Sequence, residues 1–334
     1  MSIARLALIG SGKMAAVHAA SIAANPRTEL VAVAGGRGAF TLASLYNARQ
    51  RDIETVFADS DVDGVVIASP NGVHVDHILA AAAEGKAALV EKPVDLDLAR
   101  VDDCIQRVGS AAQRIAVAFN RRFDPSFALA RTRAVTWEIG AITQVTITSR
   151  DPAPPPLAYL PSSGGIFRDM TIHDIDMARH LLGEIDSVTA TTQYTDAEIS
   201  SAGEPDGAVT VLTASSGAIA TIINSRRNSF GYDQRLEVFG PAGSLSVSNP
   251  AESTVTVADA SSSATHDRIL TAYSDRYAAA YRAEIAHLAD IILDGATPAA
   301  TLDDGRQALA VADAATRSAR SGSPVRPAQR PDPR

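Results

Sequence analysis

Three short stretches carry side chains able to move a proton or steady a developing charge. In "VEKPV" (90–94) Lys92 stands just past an apolar run and is followed by a proline. The proline fixes the local chain and so aims the ammonium, and such a cation can stabilise negative charge that develops on an oxygen. A salt bridge to Glu91 is the purely structural alternative, and spacing alone does not separate the two. In "RDMTIHDIDMARHLLG" (168–183) Asp169 and His173 lie four residues apart, which on a helix stacks them on one face. A histidine one turn from a carboxylate is the arrangement of an oriented general base. Asp176 and His180 continue the stripe, leaving Met170, Ile172, Ile175, Ala178, Leu181 and Leu182 to pack. A capping Asp169 beside a structural core histidine is the competing reading. A metal centre is disfavoured, because His173 and His180 would need a third close ligand and the sole cysteine, Cys104, belongs to another domain.

The third stretch is "ALIGSGKMA", where Gly10, Gly12 and Ala15 form G-x-G-x-x-A between a strand and a helix. That context allows a tight turn, close backbone approach to a pyrophosphate, and a helix N-terminus with free N–H groups. Binders of NAD usually place an acidic residue after the second strand to hold the ribose 2′-hydroxyl. Here the place falls in "VAVAGGRGAF", with Gly35 and Gly36 followed by Arg37. No carboxylate repels a 2′-phosphate, and Arg37 can pair with one for about 1.5–3 kcal/mol. Lys13 can approach from the other side. NADP(H) is therefore the favoured cofactor; NAD, bound with less help at the ribose while Arg37 and Lys13 stay solvated, is the alternative.

These groups need elements to hold them. Residues 4–118 alternate β-branched runs with helix-period segments: "RLALIG", "ELVAVAG", "GVVIAS", "AALVE" and "RIAVAF" read as strands, and helices are expected between them. Six strands would suit a doubly wound parallel sheet. From about Arg121 the texture changes: a helix through "FALARTRAVTWEIG" to Gly140, a strand "ITQVTITSR", a Pro-rich connection, the 168–183 helix, then five alternating runs. This pattern predicts an α+β domain with a large, open, mostly antiparallel sheet. A long helix is expected over about 275–295 and another near 303–319. The expected division is a dinucleotide-binding domain over 1–120, a substrate-binding and oligomerisation domain over 121–318, and a loose Pro-, Ser- and Arg-rich tail over 319–334.

At 334 residues, 46% apolar and 20% charged, the chain has the profile of a globular two-domain protein. No apolar run is long enough to cross a bilayer, and no signal peptide is apparent at the N-terminus. A single cysteine and these absences predict a cytoplasmic location. A net charge of −8 without a Lys/Arg cluster argues against a nucleic-acid partner.

Together with "SPNGVHVDHILAAAAEGKAALVEKPV", "FNRRFDPSF", "SRDPAPPP", "SSGGIFRDMTIHDIDMARHLLG" and "FGYDQRLEVFG", these motifs resemble the Gfo/Idh/MocA oxidoreductase family. The likeness is strongest to its myo-inositol 2-dehydrogenase branch and runs over about residues 3–318. The resemblance implies an α/β fold, an N-terminal Rossmann domain followed by the open-sheet α+β domain, and association into homo-oligomers, dimer or tetramer. It implies a catalytic trio of Lys92, Asp169 and His173. Glycine loop and resemblance together give the expected cofactor set: Gly10, Ser11, Gly12, Lys13, Met14, Arg37, Ser69, Asn71, His74, Glu91 and Lys92. Arg122, Asp151 and Tyr232 correspond to hydroxyl-binding positions, used with Lys92, Asp169 and His173, and Tyr281 is a more distant correspondence. The chain departs from the inositol branch at "AGGRGAF", where an acidic residue is usual, and this sets NAD dependence in question.

The activity so implied is reversible hydride transfer between a secondary ring alcohol of a cyclic polyol or sugar and a nicotinamide. One alternative is an NADPH-dependent reductase or dehydrogenase of another sugar or anhydrosugar. Another is a dinucleotide sensor without turnover, which has no need of all three of Lys92, Asp169 and His173.

Overall fold

The computed structural model describes residues 2–136 and 138–330, and the chain divides into two compact units. The first comprises Met1–Asp124, Ala279–Ala310 and Gln329–Arg334; the second comprises Pro125–Ala278 and Val311–Ala328.

The first unit holds six parallel strands, β1 (Ala4–Ile9), β2 (Thr28–Ala34), β3 (Arg49–Arg51), β4 (Gly64–Ile67), β5 (Ala87–Val90) and β6 (Ile115–Val117). Their order is β3-β2-β1-β4-β5-β6. Helices α1 (Lys13–Ala23), α2 (Ala39–Leu45), α3 (Ile53–Ala58), α4 (His74–Ala83) and α5 (Leu98–Val108) occur between them in the chain. Strands β4 and β5 are apolar without alternation and buried at every position, as central strands covered on both faces must be. The chain turns outward in opposite directions from β1 and from β4, so the C-terminal ends of these two strands flank the crevice where doubly wound sheets bind ligands. Strand β3, "RQR", carries no apolar signature and escapes the sequence pattern; it pairs with β2 at the edge of the sheet.

The second unit contains α6 (Pro125–Val135), β7 (Gln144–Arg150), the single turn α7 (Leu160–Ser163), α8 (Ile172–Leu182), β8 (Ile185–Gln193), α9 (Ala197–Ser201), β9 (Gly207–Ala214), β10 (Ile219–Ser225), β11 (Asp233–Gly240), β12 (Gly243–Val247), the small hairpin β13 (Thr256–Val257) and β14 (Thr265–His266), and α10 (Tyr273–Arg276). Six strands form a sheet of order β12-β11-β7-β10-β9-β8. It is mixed: β7 and β10 pair in parallel, from Gln144 opposite Ile219 to Arg150 opposite Ser225, while the other pairs are antiparallel. Both strands of that parallel pair therefore end on the same edge. Helix α6 stops at Val135 rather than Gly140, and Trp137 lies outside the described residues.

Two more helices complete the chain, α11 (Ala278–Leu293) and α12 (Leu302–Ser321). Ile285, Leu288, Ala289 and Ile291 of α11 are buried in one cluster with Leu6, Leu8 and Val66. Burying that apolar face returns α11 to the first unit. The compact units are thus discontinuous in the chain, where the sequence pattern suggests contiguous domains with boundaries at 120 and 318, because burial and not chain order decides which unit a segment joins. The tail is also more structured than its composition suggests: Val325 and Val188 exchange two backbone hydrogen bonds of 2.9 Å, and the Arg317 guanidinium donates to the Arg326 carbonyl at 3.1 Å. Residues 331–334 of that expected tail lie outside the described residues. Among the described residues no helix is long and apolar enough to cross a membrane.

Candidate active site

In the first unit the site begins at the glycine loop. Gly10 has φ +115°, and a Cβ there would lie 2.3 Å from the Ala68 carbonyl oxygen, so only glycine permits β1 and β4 to approach this closely. Gly12 differs: it caps α1, and nothing lies within 4 Å of where its Cβ would be. An open cradle at the N-terminus of an 11-residue helix suits a pyrophosphate. Ser11 is half-buried, its hydroxyl accepting from the Gly38 N–H at 3.1 Å; Lys13 is exposed and Met14 half-buried.

At the end of β2, Gly35 and Gly36 both take positive φ, +79° and +82°. A Cβ on Gly36 would meet the Ser11 hydroxyl at 2.3 Å. Beside them is a cavity of about 450 Å³ lined by Gly35, Gly36, Gln50, Arg51, Asp52 and Glu54 among others. Arg37 is exposed. Arg51, which the sequence reading passed over, has its Nε buried without a hydrogen-bond partner among the described residues. Its only signal was a position at the end of a strand with no apolar pattern.

After β4, the Ser69 hydroxyl lies 3.0 Å from His77 Nδ1, and Asn71 opens a short 3₁₀ turn, half-buried. His74 is fully buried, with one ring nitrogen 2.9 Å from the Pro93 carbonyl oxygen and the other 2.8 Å from the Ser69 carbonyl oxygen. It ties the segment after β4 to the segment after β5. Glu91, buried at the end of β5, accepts from His18 Nε2 at 2.7 Å. Burial works to raise the Glu91 carboxyl, but the His18 hydrogen bond and the nearby His18, Lys92 and His74 charges more than offset it, and its pKa lies below the ordinary value. Lys92, half-buried, follows directly and is joined to Pro93 by a cis peptide bond.

Arg122 also belongs to the first unit. Its guanidinium pairs with Asp304 at 3.1 Å and donates to the Ala299 carbonyl at 2.7 Å. These bonds brace the chain before α12. Tyr281 is buried on α11, its ring edge-on to His18 at 6.0 Å between centroids.

In the second unit the site lies at the shared edge of β7 and β10. Asp151 follows β7 directly, its N–H donating to the Ser225 carbonyl at 2.9 Å. The chain entering α8 makes a π-helical turn over Phe167–Thr171, which carries Asp169. Asp169 accepts from Arg226, just past β10, at 3.1 Å on Oδ2 and from the Tyr159 hydroxyl at 3.1 Å on Oδ1. Arg226 is 1% exposed, so Asp169 is fixed by a buried cation. Glu204 is raised above its ordinary value by burial and by Asp169, against the opposing Arg226 charge.

His173 is half-buried in the first turn of α8. Behind it Asp174, fully buried, accepts from the Ser149 hydroxyl at 2.7 Å and the Asn224 amide at 2.8 Å, while Thr171 donates to Asn224 Oδ1 at 2.7 Å. The acidic content of this helix therefore splits by role. Asp174 fastens α8 to β7 and β10, and Asp176 is likewise buried. Arg226, Tyr159, Asn224 and Ser149 were not foreseen, since they converge from separate segments that share no motif. Tyr232 is half-buried and meets Tyr277 edge-on at 6.0 Å.

A phosphate-cradling first strand–helix junction in a 3-2-1-4-5-6 sheet, with a second unit presenting carboxylate and imidazole at one strand edge, defines a dinucleotide-dependent oxidoreductase of two domains. Residues 4–119 match the oxidoreductase family's NAD-binding Rossmann fold, and residues 135–326 match its C-terminal alpha/beta domain. The chain belongs to the Gfo/Idh/MocA oxidoreductase family. It is 43% identical to an inositol 2-dehydrogenase of Rhizobium meliloti, across 94% of this chain and 96% of that one. The crystal structure of a myo-inositol dehydrogenase from Corynebacterium glutamicum superposes with a TM-score of 0.93 at 45% identity, over 97% of this chain and 98% of that one. A scyllo-inositol dehydrogenase from Lactobacillus casei, solved with NAD(H) and scyllo-inositol, gives 0.89 at 26% identity, over 97% and 99%.

Proposed function

We propose that this enzyme oxidises one secondary hydroxyl of an inositol-like ring to a ketone, reversibly. The observation that carries the reading is that Asp169 is clamped by Arg226 and Tyr159 one turn before His173, on a chain similar to inositol dehydrogenases across nearly its whole length. A bound nicotinamide dinucleotide supplies the hydride acceptor for oxidation and the donor for the reverse. Gly10, Ser11, Gly12, Lys13, Met14, Ser69, Asn71, His74, Glu91 and Lys92 form the proposed cofactor set, His74 by bracing and the glycine loop by direct approach.

A ring nitrogen of His173 takes the hydroxyl proton, a role worth roughly 10²–10⁴-fold. Asp169 stabilises the charged imidazole that results. The Lys92 ammonium steadies alkoxide character on the same oxygen. Asp151, Tyr232 and Arg122 are proposed to bind the remaining hydroxyls, Arg122 while paired with Asp304 and the Ala299 carbonyl.

The finer reading of the cofactor is a preference for NADP. It is supported by Gly36 at the place of the usual carboxylate and by Arg37 beside it. We further propose that copies pair through the sheet face of the second unit that exposes Val209, Ile219 and Phe239; light scattering of the pure protein reads this directly.

The test is spectrophotometric. Purified enzyme with NAD⁺ or NADP⁺ and a panel of inositols and hexoses is followed through absorbance of the reduced cofactor. Turnover confined to hexoses would favour the sugar-dehydrogenase alternative, and cofactor binding without turnover on any substrate would leave the sensor.

A further inference from the structure

The segment between α11 and α12 is fastened at three successive places. At its start the Ala299 N–H donates to His287 Nε2, on α11, at 2.9 Å, and the carbonyl of the same residue accepts from the Arg122 guanidinium at 2.7 Å. In its middle the Ala300 carbonyl accepts from the Val117 N–H of β6 at 2.9 Å. At its end Thr301 and Asp304 close a capping box on α12: the Thr301 N–H donates to Asp304 Oδ2 at 2.9 Å, and the Asp304 N–H donates to Thr301 Oγ1 at 3.1 Å. Asp304 Oδ1 pairs with Arg122 at 3.1 Å. The Ala299 carbonyl and the Asp304 carboxylate, both holding the guanidinium, thus sit on one short segment, and the shape of that segment sets where Arg122 lies.

We propose that His287 is a positioning residue for Arg122, and one that acid disables: its neutral imidazole holds the Ala299 peptide by the N–H, and that peptide holds the guanidinium by the carbonyl. A peptide N–H can only donate, so Nε2 must present a lone pair, and the neutral ring carries its proton on Nδ1. Once Nε2 takes a proton it becomes a donor, and the Ala299 N–H loses its acceptor. The Phe123 ring packs against the imidazole at 5.4 Å between centroids, one residue after Arg122 in the chain. Ring and guanidinium therefore meet the same segment from two neighbouring positions.

Charged and polar groups approach His287 from each element beside it. Asp290 follows it on α11 and is engaged by Arg27 at 2.6 Å. The Thr297 backbone hydrogen-bonds the ring from the connecting segment, and Arg122 with Asp304 stands across Ala299. Burial pushes the His287 imidazole below its ordinary value and outweighs the opposing pull of Asp290 and Thr297, in agreement with the neutral ring that the Ala299 bond requires. The stabilising contribution of this neutral ring is fully present above the unfolded imidazole pKa and is lost as pH falls toward the folded value.

The kinetic readout of this inference rests on the hydroxyl-binding role proposed for Arg122; the exchange readout needs no substrate. Full-length wild type is compared with His287→Phe, which keeps an aromatic ring against Phe123 without the acceptor, and with His287→Gln, whose side-chain oxygen can accept from Ala299 and does not titrate. In His287→Phe, exchange of the Ala299 amide read by NMR near neutral pH and corrected for its intrinsic rate should quicken about tenfold. KM for the polyol should rise about fivefold with kcat within about twofold. His287→Gln should restore most of both. Lowering the pH through the imidazole titration, followed by NMR of the ring, should strip the same protection from wild type and not from His287→Gln, and the wild-type thermal midpoint should fall more steeply over that range. Ala299 exchange equal to wild type in His287→Phe, or wild-type protection that ignores the ring titration, overturns the proposal; so does an unchanged KM in His287→Phe where Arg122→Gln raises it. If Arg122→Gln also leaves KM unchanged, or wild type turns over no polyol, the proposed function fails at that point, and exchange still decides the role of His287.

Discussion

The C-terminal edge of the first unit's sheet is assembled chiefly from backbone, whereas the edge shared by β7 and β10 in the second is assembled from side chains. At the first, the chemistry of phosphate binding is supplied by N–H groups at a helix end and by glycines that keep carbons away. Gly10 cannot carry a Cβ against the Ala68 carbonyl, and Gly12 leaves the cradle open. At the second, a buried arginine, a tyrosine, an asparagine and a serine from separate segments hold Asp169 and Asp174. Backbone-made sites must be written in short, contiguous codes. Sites made of side chains can be gathered from anywhere.

Substitutions at the two edges should separate them. The largest effect is expected at Lys92→Ala: kcat falls about 10²–10³-fold, as for loss of a charge-stabilising donor, while cofactor affinity by fluorescence titration falls much less, by under about tenfold. A variant that turns over like wild type would refute the role of Lys92. Next, Gly10→Ala should cost about 2–4 kcal/mol in urea unfolding, because the added carbon meets a carbonyl at 2.3 Å in a left-handed backbone; a cost under about 0.5 kcal/mol would show the loop to be pliant. Arg226→Ala leaves Asp169 without its buried cation, and a stability loss of about 1–3 kcal/mol with lowered kcat is expected. Arg226→Lys should recover part of the stability but less of the rate, since an ammonium lacks the guanidinium's planar geometry. Equal rates in the lysine and alanine variants together with full stability would remove Arg226 from the site.

Arg37→Ala should lower the ratio of kcat/KM for NADP⁺ over NAD⁺ about tenfold or more. No change in the ratio ends the case for Arg37. The smallest effect is expected at Cys104, whose thiol burial pushes up to about 11; its labelling by a thiol reagent near neutral pH should be no faster than opening of the fold.

Legibility in the sequence followed the same division. The first unit was readable strand by strand, since β1, β2, β4 and β5 are apolar runs punctuated by glycine, and Gly10, Gly12 and Lys92 stand at their ends. Only "RQR" of β3 was lost, an edge strand with nothing to bury. In the second unit the strands were readable as alternating runs, but the parallel alignment of β7 with β10 was not, because alternation is blind to strand direction. The α8 segment announced Asp169 and His173 by spacing. It could not announce that Asp174 is structural, since that depends on Ser149 and Asn224, 25 and 50 residues away. The return of α11 to the first unit was equally silent: Ile285 and Leu288 say that a face is buried, not against what.

The contact between Ser11 and Gly36 constrains how cofactor choice could evolve in this lineage. An acidic side chain at position 36 would need a carbon where the Ser11 hydroxyl already stands, 2.3 Å off, on a backbone with φ +82°. A one-step mutant such as Gly36→Asp must therefore adopt a left-handed backbone and turn the Ser11 hydroxyl aside, breaking its hydrogen bond from Gly38. Shortening Ser11 to glycine first, at the loss of its hydrogen bond from Gly38, opens the space, so the two changes are epistatic and the order in which they occur matters.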